Sequence, residues 1–164
     1  MKSTDKVKLQ KSPNIPDILP ETDINNDQLA NLLQAAFIQW ERLENGALMV
    51  DDTGIKIIIN STKNAVMTEN KVISMFGIWN TRDSVSLENK LVWINQLNRK
   101  YSLLGFSLIY ADDNIPVDRL LIEYQIRYNG GLIPVQFISI LRFVGIIARN
   151  ILFENNQVQI LGTG

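Results

Sequence analysis

The chain has 164 residues, 46% of them hydrophobic, with 16 Lys and Arg against 17 Asp and Glu, a formal net charge of -1, and neither Cys nor His. That length and apolar content suit one domain with a buried core and exclude a disordered chain. The two missing residue types exclude disulfides, zinc knuckles, imidazole ligands and Ser-His-Asp or Cys-His relays, and the balanced charge leaves no electrostatic footprint for nucleic acid.

Residues 1–24 carry Pro13, Pro16 and Pro20 among polar residues and read as a flexible lead-in to a single domain over 25–164. Lys2, Lys6, Lys8 and Lys11 form a short basic tail, interrupted by Asp5. No apolar run of signal-peptide length occurs there, so a cytoplasmic protein is expected. Asn25 is a good N-cap with Gln28 three residues on, and Ile24 and Leu29 hold the staple positions. Leu29, Leu32, Leu33, Ala36, Phe37, Trp40 and Leu43 then predict one helix running to a stop at Asn45-Gly46.

Strands are predicted over Ala47–Val50 and Ile55–Asn60, joined by the polar turn Asp51-Asp52-Thr53-Gly54. Lys71–Trp79 is apolar on both faces, the pattern of a central strand. A second helix spans Ser86–Tyr101, with Leu87, Leu91, Ile94, Leu97 and Tyr101 as its apolar stripe. Two further strands, Leu103–Ala111 and Val117–Tyr128, flank Asp112-Asp113-Asn114, and Asn129-Gly130-Gly131 turns the chain into a last helix, Pro134–Phe153. Its apolar face is Ile138, Leu141, Val144, Ala148, Ile151 and Leu152, and a short strand at 158–161 can follow. The order α-βββ-α-ββ-α predicts an α+β fold with packed helices on one antiparallel sheet.

The last helix is long and apolar enough to raise a membrane span. Arg142, Arg149, Gln136, Ser139 and Asn150 share one side of it, which predicts an amphipathic helix of the domain and no contact with a membrane. Val135, Phe143, Ile146 and Phe153 intrude on that polar side. Either a terminal segment covers them or they form an interface framed by Arg142 and Arg149; thin surface charge favours the interface. Trp79 and Trp93 are candidate aromatic anchors for it. Asn98 falls within the stripe of the second helix and Asn95 at its edge; both read as structural polar groups, Asn98 tying the helix to strand or loop backbone. Turn chemistry explains Asp51-Asp52 and Asp112-Asp113, and neither pair has metal-ligand spacing. Phosphate-binding glycine motifs are missing. No catalytic group, metal or cofactor is therefore expected.

In the second half, Asn95-Gln96-Leu97-Asn98, two strands around an acidic turn, and Tyr128-Asn129-Gly130-Gly131-Leu132-Ile133-Pro134-Val135-Gln136-Phe137 resemble the YbjN family, bacterial proteins labelled sensory transduction regulators. Ile133 stands where a Ser or Thr cap is expected, which suggests that it is packed instead. The resemblance implies a fold similar to class I type III secretion chaperones, often a homodimer, with no enzymatic activity and no cofactor. The expected function is a regulator or chaperone-like protein binder that pairs with itself. The rivals are a small-molecule binder or carboxylate-based hydrolase, and a structural subunit of a larger complex.

Overall fold

The computed structural model describes residues 16–52, 55–63 and 71–162. The chain runs through helix α1 (Asn26–Ala35), strands β1 (Trp40–Arg42), β2 (Leu48–Asp52), β3 (Ile55–Lys63) and β4 (Lys71–Asn80), helix α2 (Leu87–Lys100), strands β5 (Gly105–Ile109) and β6 (Arg119–Arg127), and helix α3 (Pro134–Val158). The strands make one antiparallel sheet in the order β1-β2-β3-β4-β6-β5. The fold is α+β as expected, with one strand more than predicted. β4 is central, between β3 and β6.

Alternate strand residues on one side of the sheet, among them Val50, Ile57, Ile59, Ile73, Met75, Leu120 and Ile122, are buried beneath the helices. α1 adds Leu29 and Leu33, α2 adds Trp93, Ile94 and Leu97, and α3 adds Phe137, Leu141, Val144, Ala148 and Ile151. At about 1.5–3 kcal/mol per fully buried large apolar side chain, this layer supplies most of the driving force for folding.

α1 starts as predicted, with the Asn25 side chain accepting from the Gln28 amide at 3.0 Å and Ile24 and Leu29 both in the core. It ends far sooner than predicted. The amides of Phe37 and Ile38 donate to the carbonyls of Gln34 (3.1 Å) and Leu33 (3.0 Å), a paired C-terminal closure that requires a left-handed residue between them. That residue is Phe37, at φ 58, where glycine is usual. Trp40 therefore opens β1 and packs on the core from a strand, while Asn45-Gly46 serves the β1–β2 hairpin, closed by Leu43 N–H to Ala47 O at 2.9 Å. The helical spacing of Trp40 and Leu43 was coincidental, because a strand can point the same residues at the same core.

Other boundaries shift for local reasons. Asp51 and Asp52 belong to β2, opposite Lys56 and Ile55, so they are not turn residues; residues 53–54 lie outside the described residues. α2 begins where predicted, with Ser86 as its cap, but its buried side is Lys90, Trp93, Ile94 and Leu97, with Leu87 and Leu91 partly exposed. The rotation follows from Lys90, 3% exposed, whose ammonium meets the Asp118 carboxylate at 2.8 Å. α3 continues to Val158, and Leu161 makes a single bridge to Thr81 rather than a strand. Arg82 secures that tail, its N–H to Ile160 O at 2.8 Å and its Nε to Leu161 O at 3.0 Å.

The basic tail of the lead-in lies outside the described residues. Residues 18–24 are tied down: Leu19 pairs with Leu132 in an antiparallel bridge, Leu19 and Ile24 are buried, and Glu21 accepts from the Gly130 amide at 2.8 Å and pairs with Lys71. Gly131, at φ 122, makes this possible, since a Cβ there would stand 2.9 Å from Leu19 O.

Candidate protein-binding surface

Val135, Ile146 and Phe153 lie eleven and seven residues apart on α3, within about 20° of one another at ~100° per residue. They are 69%, 59% and 70% exposed. Neither the described part of the lead-in, held at Leu132, nor the tail, held at Thr81 and Arg82, covers them. Phe143 stands at the edge of the same face and, with Tyr101, Leu103, Ile146, Ile147 and Asn150, lines a groove of about 360 Å³ between α3 and the turn after α2. Leu103 is itself largely exposed. The sequence places it at the start of a strand, Leu103–Ala111, whereas β5 begins only at Gly105 and Leu103 lies in the turn before it.

The groove wall is fixed by Glu154, whose Oε1 accepts from Lys100 Nζ at 2.6 Å and from Tyr101 Oη at 3.1 Å. The contact raises the Lys100 ammonium above its ordinary value and lowers the Glu154 carboxyl, so both stay charged. Arg142 and Arg149 are exposed on the outer face and make no ion pair among the described residues. α3 carries no acidic residue before Glu154. The face is thus apolar at its centre and cationic at one flank. By length and composition Pro134–Glu154 is apolar enough to cross a membrane; its other side, from Phe137 to Ile151, is the core of this domain.

The tryptophans do not belong to this surface. Trp93 is buried, and the Trp79 ring lies over Gly77, packed on the core side, in space that a Cβ at Gly77 would enter at 2.3 Å. The rotation of α2 and the missing side chain at Gly77 give both rings a place on the core side instead. The exposed aromatic groups on α3 are Phe143 and Phe153. Ile133 is also exposed rather than packed.

Asn98 does what was expected of it. Its Nδ2 donates to Phe106 O at 2.9 Å and its Oδ1 accepts from Phe106 N–H at 3.0 Å, so the side-chain amide takes the place of a neighbouring strand along the β5 edge. Asn95 lies on the exposed side of α2. Asn26, which sequence reasoning passed over beside its capping neighbour, acts similarly at the other end of the sheet. It donates to Gly46 O at 2.8 Å and accepts from Ser61 N–H at 2.9 Å.

Among the described residues, no helix packs on the other side of the sheet. Met49, Ile58 and Phe76 sit side by side across three strands, and Ile78 faces Leu121 one row along. These residues are half-buried or exposed and lie outside the core cluster. The carboxylates do not converge. Asp51 stands on this open face beside Lys56, whereas Asp112 lies beyond β5 and organises its turn by accepting from the amides of Asn114 and Ile115, both at 2.8 Å. Among the described residues no three acidic groups gather as metal ligands do.

No family model matches the chain, and no curated protein does. Among solved structures, the crystal structure of YbjN from E. coli, a candidate transcription regulator, superposes with a TM-score of 0.71 at 18% identity, covering 86% of this chain and 97% of that one. The chain has a YbjN-like fold. An uncharacterized protein from Methanothermobacter thermautotrophicus also superposes, with a TM-score of 0.57 at 13% identity over 82% of this chain and 98% of its own. At such identities the likeness to YbjN establishes architecture alone.

Proposed function

We propose that the chain is a non-enzymatic, cytoplasmic protein-binding domain of regulator or chaperone-like character. It pairs with itself, and it takes an acidic, amphipathic segment of another polypeptide on the outer face of α3. The carrying observation is the exposure of Val135, Ile146 and Phe153 beside a groove, with Arg142 and Arg149 at the flank and no acid among them. Large apolar groups give such a segment its anchors, and unpaired arginines select for negative charge. The regulator reading draws support from the YbjN-like fold. Contact with protein rather than DNA fits a net charge of -1. A small-molecule binder or carboxylate hydrolase needs converging acids, which the separation of Asp51 from Asp112 disfavours.

The test is fluorescence anisotropy with a short labelled helical peptide of Leu and Glu. Binding is expected to weaken at least about tenfold in Ile146→Asp/Phe153→Asp, and Arg142→Glu/Arg149→Glu should also flatten its salt dependence. Equal binding of the same peptide with Lys in place of Glu, or no effect of either double variant, overturns the reading.

A further inference from the structure

We infer that the open face of the sheet is where two copies of this chain meet, the stripe of Met49, Ile58, Phe76, Ile78 and Leu121 packing against its own counterpart. The inference rests on the self-pairing in the proposed function and assigns it a surface distinct from α3.

An antiparallel sheet covered on one side ordinarily turns polar residues to water on the other. Here the centre of the uncovered side is apolar across β2, β3, β4 and β6. The charges around that centre are balanced: Lys56, Arg119 and Arg127 against Glu41, Asp51 and Glu123, by strand alternation. A twofold pairing of such a face can set each sign against the other. The same operation on α3 would bring four arginines together with no acid on either face, a like-charge arrangement that costs affinity. Charge complementarity therefore gives the sheet to a second copy and α3 to a foreign acidic segment.

Size is consistent. Six strands spaced about 4.8 Å apart and three to ten residues long present roughly 650 Å² in projection at ~3.4 Å per residue, more as corrugated accessible surface. A standard interface takes about 800 Å² per partner.

The test is light scattering on the full chain at ~10 μM, with circular dichroism to verify folding. Wild type is expected at twice the monomer mass. Ile78→Glu should give a folded monomer, and Ile146→Asp/Phe153→Asp should remain a dimer. Lys56→Glu/Arg127→Glu, which alters only exposed groups, should also give a monomer by leaving the face almost wholly acidic; this variant decides the matter if Ile78→Glu does not fold. A wild-type monomer overturns the self-pairing itself, and with it this inference. A wild-type dimer that survives the sheet variants and is broken by the α3 variant overturns only the assignment to the sheet. Binding of a DNA duplex to the sheet, lost in Lys56→Glu/Arg127→Glu, with a monomeric wild type, would give the face to nucleic acid instead.

Discussion

The two sides of the sheet are built from the same strands and differ in what lies above them. On the helix side, residues such as Ile57, Ile73 and Leu120 are sealed by α1, α2 and α3. On the open side, their neighbours Ile58, Phe76 and Leu121 are shielded mainly by one another. Hydrophobicity along a strand therefore reports two things here, a core and a surface, and only the layer above separates them. The sharpest way to break this comparison is truncation on each side. Phe137→Ala, on the buried side of α3, is expected to cost about 3–5 kcal/mol, and Phe76→Ala about 1 kcal/mol or less in the monomer, because no packed layer is lost. Urea unfolding reads both. Equal losses would mean that the open side is covered after all.

The next largest effect lies where α2 is fastened over the helix side. The Asp118 carboxylate accepts from Lys90 Nζ at 2.8 Å and from the Ala111 amide at 2.9 Å, and its backbone carbonyl accepts from both N–H (2.8 Å) and hydroxyl (2.9 Å) of Thr81. Lys90 is buried, and first the hydrogen bond from Lys90, then that from Ala111, hold the Asp118 carboxyl below its ordinary value. Asp118→Asn is expected to cost about 2 kcal/mol by leaving a buried cation without its counter-charge. Because the folded carboxyl is depressed, its stabilisation is complete above the ordinary aspartate range and disappears as pH falls through the depressed folded value. Melting temperature against pH should therefore fall less steeply in acid for Asp118→Asn than for wild type. A parallel fall in both would show that other carboxylates govern the acid limb.

Asn98 tests the rim between the two sides. Asn98→Leu leaves the Phe106 N–H and C=O without partners on the β5 edge, at an expected cost of about 1–2 kcal/mol, toward the lower end because water reaches the site. Peptide binding on α3 should be unchanged. Loss of binding with stability intact would make Asn98 a contact residue rather than a structural one.

Much of this was legible in advance, and the exceptions share a cause. The cap at Asn25, the start of α2 near Ser86, the central position of β4, the glycine turn before α3 and the exposed residues of α3 all follow from local chemistry or from a single periodicity. Reading failed where the decisive partner was distant in sequence. Lys90 is buried because Asp118 waits 28 residues away, and Trp79 is internal because Gly77 makes room for its ring. Leu103 reached the candidate surface only through the placement of α3 beside it. The open stripe was half visible: both faces of β4 read as apolar, but no pattern within one strand tells which face the helices will take.

The smallest expected effect concerns the residue that ends α1 and sends the chain to the sheet edge. Phe37 is 94% exposed and left-handed, so its side chain contributes little packing while its backbone bears the strain of that region. The hydrogen bonds from the Phe37 and Ile38 amides back to Gln34 and Leu33 use backbone atoms alone and survive any substitution that tolerates a positive φ. Phe37→Gly is thus expected to stabilise the fold by up to about 1 kcal/mol, relief of strain outweighing the extra freedom glycine gives the unfolded chain. Phe37→Ala, which keeps the Cβ and removes the ring, should be close to wild type. Chemical denaturation separates the outcomes. Stabilisation by glycine alone locates the cost in the backbone and shows that α1 closes over the helix side despite it. Destabilisation by both variants would mean that the ring itself is held by a partner.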